Sequence, residues 1–276
     1  MFRDRGVEIK TPDQLAAMRR AGLVVGRTLE LVQSAVGPGV TTAELDALAE
    51  EHIRDLGAVP SFKGYHGFPG SLCISVNDQV VHGIPGPLVL DEGDLVSVDC
   101  GAIVAGWHGD AATSTVLGSP DETATEVAVL LRVTEDALWR GIAAVQAGGR
   151  LTDVCAAVEA HVRSASLPLG IVEDYVGHGI GSQMHQPPSV PNTGRAGRGP
   201  RLVPGMAIAI EPMITLGSPE TSVLADDWTV VCSDGSWAAH FEHTVAVTAD
   251  GPWVLTALDG GQQRLDDLGV RAGGPR

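Results

Sequence analysis

The chain has 276 residues, 44% of them apolar, enough to bury a large core as one domain or two small ones. A formal net charge of −16 argues against nucleic acid as the main partner, because that field repels a phosphate backbone. The four cysteines lack CxxC spacing, and no run approaches the ~20 apolar residues that span a bilayer. With no apolar leader in the first ten residues either, a cytoplasmic protein with reduced thiols is expected.

In chain order, Thr11-Pro12-Asp13-Gln14 predicts a helix start. It has a capping hydroxyl, a proline at the first helical position and an amide three residues after the cap. Apolar residues at Leu15, Met18, Ala21, Leu23 and Val25 continue it at helical spacing. Thr41 to Glu44 predicts a second start. Two strands follow, DLVSVDCGAIVAG and DAATSTVLG, and then a third capping pattern at Ser119-Pro120-Asp121-Glu122. A fourth helix is predicted over 152–164, with Val154, Val158 and Val162 on one face. The strands AIAIEPMITL, WTVVCSD and AAHFEHTVAVT complete the order, and 259–276 reads as a polar, Gly-rich tail at the edge of order.

Two helices, strands, two helices, strands is a doubled pattern. The proline-containing caps stand 108 residues apart, and Gly39-Val40-Thr41-Thr42 matches Gly149-Arg150-Leu151-Thr152. One domain over 1–258 is expected, built from related halves at about 11–118 and 119–250. Under that duplication, Asp99 and Asp110 correspond to Glu211 and Glu242.

These four acids sit in apolar phrases: VSVDCG, GWHGDAA, AIEPM and FEHTV. Asp99 and Asp110 are 11 positions apart with Gly106 and Gly109 between them, a spacing that fits two antiparallel strands and a turn. Alternation turns Cys100 away from Asp99, so Cys100 reads as a packed thiol. Glu211 interrupts an otherwise apolar strand, and Pro212 predicts a strand end or bulge beside a site. Burying four carboxylates together requires positive charge, and no lysine or arginine lies in these phrases. Two divalent cations would supply it. His178, between Gly177 and Gly179, adds an imidazole, its glycines read as letting the backbone turn sharply. Oxygen ligands with one imidazole and no thiolate suit Mn, Fe, Co or Zn as the divalent ion. His82 in VVHGIP and His185 in MHQPP stand in Gly/Pro-rich loops, where each reads either as a donor of hydrogen bonds to a reacting carbonyl or departing amine or as a surface loop histidine. His108, His240 and His243 adjoin the acids and read as packing or supporting groups, and His161 as a helix-surface residue.

Together these phrases resemble the type I methionine aminopeptidases over about residues 11–250. The resemblance implies an α/β (α+β) pseudo-twofold pita-bread fold, a curved antiparallel sheet with helices on its outer face. It implies a cytoplasmic, monomeric metalloaminopeptidase that removes the initiator methionine from nascent polypeptide N-termini when the second residue is small. Two divalent metal ions (Co, Mn, Fe or Zn) are implied, held by Asp99, Asp110, His178, Glu211 and Glu242. Glu211 doubles as proton shuttle, and His82 and His185 contact the substrate amide. The methionine pocket is implied at Tyr65, His66, Phe68, Cys73, Met184 and Trp228. Gln186 departs from the acid common in relatives, and Phe62 and Phe68 from cysteine or tyrosine, which bears on fine preference.

Two other readings share the motifs. An Xaa-Pro aminopeptidase or prolidase has the same fold and ligands, and by family pattern an extra N-terminal domain for which the 98 residues before Asp99 leave little room. A non-catalytic pita-bread binding protein would lose ligands, and all are present here. The basic stretch Gly194-Arg195-Ala196-Gly197-Arg198-Gly199-Pro200-Arg201 is a candidate contact with ribosomal RNA, or an exposed loop with no partner.

Overall fold

The structure, a computed structural model, describes residues 6–118 and 123–275. Both of the first two predicted caps form. The Thr11 and Thr41 hydroxyls accept from the backbone N–H groups of Gln14 and Glu44, whose side chains accept from the cap N–H in return. They open α1 (Pro12–Ala35) and α2 (Thr42–Asp55). The third predicted cap, Ser119 to Glu122, lies outside the described residues; α3 spans Thr125–Ala143 and α4 Leu151–Arg163.

The first strands are β1 (Val59–Pro60), β2 (Leu72–Val76), β3 (Gln79–Val81), β4 (Leu95–Val104) and β5 (Trp107–Val116). After α4 come β6 (Gly170–Ile171), β7 (Gly177–Gly179), β8 (Gln186–Val190), β9 (Ala207–Ile210) and β10 (Met213–Thr215). The last are β11 (Thr221–Val223), β12 (Val230–Cys232), β13 (Ala238–His240), β14 (Glu242–Thr248) and β15 (Gly251–Val254). Nine strands form one curled antiparallel sheet in the order β1-β4-β5-β14-β9-β7-β8, with β2 also on β4 and β15 also on β14. Two predicted strands are split: the chain leaves the ladder at Glu211-Pro212 and again at Phe241. Proline cannot donate to a ladder, which accounts for the first break.

Alternation assigns the faces of β4. Val96, Val98, Cys100 and Ala102 join Val24, Val25, Val32 and Ile53 of α1 and α2 in one apolar cluster. Asp99 therefore points away from that helix pair. A second cluster packs Leu130, Leu138, Val154 and Val158 of α3 and α4 against Ile208, Ile210 and Val245. Where α1 crosses β5, a Cβ on Gly109 would lie 2.7 Å from the Gly22 nitrogen, so the close crossing depends on glycine.

The segment after Asp259, expected at the edge of order, is docked. It forms α5 (Gln262–Asp267) and buries Leu265 completely. Arg264 lies over the Trp139 ring at 5.6 Å and donates to Asp136 at 3.1 Å. Nearby, the Arg19 guanidinium of α1 donates to the carbonyls of Val254, Leu255, Ala257 and Leu258 at 2.5–3.3 Å. One leucine and one cation–π contact outweigh a composition that reads as fringe.

Candidate metal centre

The register of the sheet brings the acids together. Asp99 on β4 pairs with Ala112 on β5, and Glu242 on β14 pairs with the same Ala112 from the other side. Directly opposed residues share a face, so Asp99, Ala112 and Glu242 form one row, and Cys73 extends it across β2. Asp110, two residues before Ala112, lies on that face as well. The turn between β4 and β5 is Ala105-Gly106, both at positive φ (51° and 82°), as a two-residue hairpin requires. Gly109, expected in that turn, serves the α1 crossing instead. Asp110 is locked to β14 through Thr244, whose hydroxyl accepts from its N–H at 3.0 Å and donates to its carbonyl at 2.8 Å.

Glu211 reaches the same space from the break after β9, where Asn192 donates to its carbonyl at 3.2 Å. His178 arrives on β7. Its flanking glycines do not bend the chain sharply, as the sequence reading has it. A Cβ on Gly177 would lie 2.4 Å from the Ala209 oxygen, and one on Gly179 2.2 Å from the Pro187 oxygen. Their function is to let β7 pass tightly between its neighbours.

The electrostatics of this cluster are unsatisfied by protein alone. Burial pushes Asp99 up to about 7, and it drives Asp110, Glu211 and Glu242 well above the carboxylate range, with the neighbouring acids adding to the rise. Burial brings His178 down to about 3, with nearby His185 contributing, so its contacts with acids are not ion pairs. The His178 Nδ1–H donates to the Gly179 carbonyl at 3.0 Å, which leaves Nε2 a lone pair. That lone pair faces Glu211 Oε1 at 3.5 Å and Asp110 Oδ2 at 4.0 Å, acceptor against acceptor. Asp99 Oδ1, Asp110 Oδ1 and Glu242 Oε1 are buried without a hydrogen-bond partner. Orphaned acceptors converging on one space fit a cation. Asp110, His178 and Glu242 offer donor atoms all within 4.8 Å of one another, and so do Glu211, His240 and Glu242.

His240 is the residue that sequence reasoning undervalued. Its Nε2 is buried and unpartnered, 3.9 Å from Glu211 Oε2 and 3.8 Å from Glu242 Oε2. The signal was available: His240-Phe241-Glu242 places an imidazole and an acid two apart, hence on one face of an extended chain. His243 is instead tied to Thr256 at 2.8 Å behind the sheet, and His108 contacts the Ser61 hydroxyl at 3.1 Å.

The acids floor a cavity of about 160 Å³. All thirteen residues expected at the site line it, and Phe62, noted only as a departure, lines it too. A larger hollow of about 700 Å³ beside Val116 and Trp237 has no imidazole among its lining residues. Phe62, Phe68, Cys73 and Met184 make a buried apolar cluster at one side of the smaller cavity, with Tyr65, Ile84 and Trp228 against it. The Phe68 and Trp228 rings meet edge to face at 5.1 Å. His82 sits at φ 60°, a strained conformation for a residue with a side chain, and its ring lies edge-on to Trp228 at 6.1 Å. Burial lowers it to about 4. His185 meets His178 edge to face at 4.3 Å, and its Nδ1 shares a 2.8 Å hydrogen bond with the Tyr65 hydroxyl.

Residues 16–249 match metallopeptidase family M24. The chain belongs to that family. Within metallopeptidase family M24 it is 50% identical to a methionine aminopeptidase of Clostridium acetobutylicum, over 91% of this chain and 99% of that one. It is 52% identical to methionine aminopeptidase 1 of Mycobacterium tuberculosis, over 91% of this chain and 96% of that one. The crystal structure of methionine aminopeptidase from Thermotoga maritima superposes with a TM-score of 0.87 at 41% identity, covering 91% of this chain and 99% of that one. The M24 chain thus has the pita-bread fold. A prolidase from Pyrococcus furiosus shares the fold at a TM-score of 0.69 and 21% identity, but this chain covers only 65% of it.

Proposed function

We propose that this protein is a methionine aminopeptidase, which hydrolyses the first peptide bond of chains that begin with methionine and carry a small second residue. The observation that carries the proposal is the pairing of two environments in one cavity. Unsatisfied acids lie on its floor, and a buried wall of Phe62, Phe68, Cys73 and Met184 stands beside them. Such a wall fits an unbranched thioether, since sulfur–aromatic contacts contribute ~0.3–1.5 kcal/mol each. The relatives named methionine aminopeptidase support the same reading.

In this proposal Asp99, Asp110, His178, Glu211 and Glu242 hold two divalent ions of the Mn, Fe, Co or Zn class. When bound, such ions lower the pKa of a water and polarise a carbonyl. The chain's own residues do the rest. Glu211 takes the proton from the attacking water and passes it to the departing amine. His82, kept neutral by burial, and His185, whose pKa is lowered by the crowding of neighbouring groups with His66 contributing, donate hydrogen bonds to the substrate amide and to the oxygen on which charge develops. His240 supports the carboxylates of Glu211 and Glu242 from behind. The substrates are nascent N-termini, which places the enzyme in the cytoplasm, and the Arg195–Arg201 loop is the surface for a ribosome contact.

The test is hydrolysis of Met-Ala-Ser against an Xaa-Pro dipeptide, with each divalent ion added to chelated protein. Metal-dependent release of methionine from the tripeptide is expected. Preference for the proline substrate, or no metal-dependent turnover, would overturn the proposal.

A further inference from the structure

The segment before α1 crosses the turn that carries His185. The turn joins β7 to β8, closing with a 3.0 Å hydrogen bond from the Gly181 N–H to the Gln183 carbonyl. On one side it is held by the sheet, because His108 N–H donates to the Gly181 carbonyl at 3.0 Å. On the other side stands Glu8, 174 residues away in sequence from Ser182. Glu8 accepts from the Ser182 N–H at 3.0 Å, from the Ser182 hydroxyl at 2.7 Å and from the Gln186 amide at 2.9 Å. Lys10, whose side chain is 2% exposed, lies 3.6 Å from the same carboxylate. Its own backbone N–H is fixed to the Gly205 carbonyl at 2.8 Å. A Cβ on Gly181 would lie 2.2 Å from Glu8 Oε2 and 2.4 Å from Lys10 Cε, so strap and turn are in full contact.

Of the three residues between these anchor points, Met184 and His185 differ in what else holds them. Met184 is buried in the apolar cluster and needs no further support. His185 is exposed, and outside the turn it is held by the Tyr65 hydrogen bond and its edge-to-face contact with His178. The three hydrogen bonds to Glu8 bracket it, from Ser182 on one side and Gln186 on the other. Charge-assisted bonds of this kind are about twice as strong as neutral ones, and the Ser182 and Gln186 bonds, with the Lys10 ammonium adding to them, hold Glu8 below its ordinary pKa against the opposing effect of burial.

We infer that Glu8 is a positioning residue: it fixes the 182–186 turn so that His185 meets the substrate amide, while Met184 and the methionine pocket stay in place without it. This rests on the aminopeptidase reading, which gives His185 its substrate contact. It makes the reactivity of the site depend on a segment outside the matched family region, which begins at residue 16.

The experiment compares wild type, Glu8→Gln, Gln186→Glu and the exchange Glu8→Gln/Gln186→Glu, each metal-loaded. Amide hydrogen exchange at Ser182 and kcat and KM for Met-Ala-Ser are measured on all four. Glu8→Gln loses the carboxylate, and Gln186→Glu sets two carboxylates against each other. Each is expected to speed exchange at Ser182 and lower kcat about tenfold, within the range that small misplacements cost, while KM stays within about twofold. The exchange variant, with one carboxylate restored across the same bond, is expected to recover kcat to within about threefold of wild type. Unchanged kcat in both single variants would overturn the inference, and so would a double variant as slow as the product of the singles. Inactive wild type would overturn the aminopeptidase reading instead, and the exchange data would still report whether Glu8 holds the turn.

Discussion

The hairpin β4–β5 and the strands β7, β9 and β14 contribute to one cavity by opposite means. In the hairpin, ten-residue strands run unbroken, and Asp99 and Asp110 occupy ordinary ladder positions. Their aim comes from register alone. In the C-terminal strands, Glu211 stands where the ladder stops at Pro212, His240 and Glu242 flank the gap at Phe241, and β7 is three residues long. Here aim comes from interruptions, each stabilised by a dedicated contact such as Asn192 to the Glu211 carbonyl. In this site the regular hairpin supplies acids and the interrupted strands supply the imidazoles, while the hairpin's own His108 is turned to Ser61. His178 and His240 both come from the interrupted half, where backbone departures bring neighbouring strands close.

Four expectations bear on this contrast. The largest effect is expected at Asp110, the acid bordered by both halves. Asp110→Asn should reduce turnover to background, yet stabilise metal-free protein at pH 8 by on the order of 1 kcal/mol or more, because an uncompensated buried charge is gone. Chelated samples compared by calorimetry check this, and a lower melting temperature would show that the carboxylate has a protein partner. Next, His185→Ala should slow turnover about 10²-fold through a lost hydrogen-bond donor, with stability within about 0.5 kcal/mol, since the side chain is exposed. Equal losses of stability and rate would make it a packing residue.

Glycine substitutions probe the two means of aiming directly. Gly109→Ala forces a Cβ against α1, and Gly179→Ala forces one against the Pro187 carbonyl. Each should cost about 1–3 kcal/mol, or roughly 2–4 °C of melting temperature per kcal/mol. Only Gly179→Ala should also weaken metal affinity, measured by competition with a chelator, because β7 presents His178. Parallel losses of affinity in both variants would erase the distinction between the halves.

The smallest effect concerns pH. A carboxyl whose folded pKa is raised binds protons that the unfolded chain has already released, so it contributes stability at low pH that is lost as pH rises. The window runs from the ordinary carboxylate range, about 4, to about 7 for Asp99, and Asp110 and Glu242 are shifted in the same direction by burial and neighbouring acids. Metal-free protein should therefore melt at a lower temperature at pH 8 than at pH 5. Saturating Mn²⁺ should shrink that difference, and an unchanged difference would argue against cations among these acids.

Much of this was legible from residues alone. Caps at Thr11 and Thr41 carry their own reciprocal chemistry, and the ladder positions of Asp99 and Asp110 follow from alternation. Glu211 was legible because an acid in an apolar strand demands an explanation. The misreadings share a cause. Gly177 and Gly179 read in the sequence as sources of bending, whereas they, like Gly109, are needed for a close approach by a segment distant in sequence, which composition does not encode. Leu265 and Arg264 dock the tail through single tertiary contacts that a Gly-rich window hides. Glu8 was silent because its partners stand at Ser182 and Gln186.

The shared position at Ala112 also orders events in time. Asp99 and Asp110 come together on one face as soon as one hairpin forms, but Glu242, the other acid of the row through Ala112, is 130 residues beyond Ala112. During synthesis the first pair is made and folded long before Glu242 exists. A long-range strand pairing of this kind is slow to form. Cation capture by the full set is then a late event, because a chain halted before β14 carries Asp99, Asp110, His178 and Glu211 but lacks Glu242, the acid paired across Ala112.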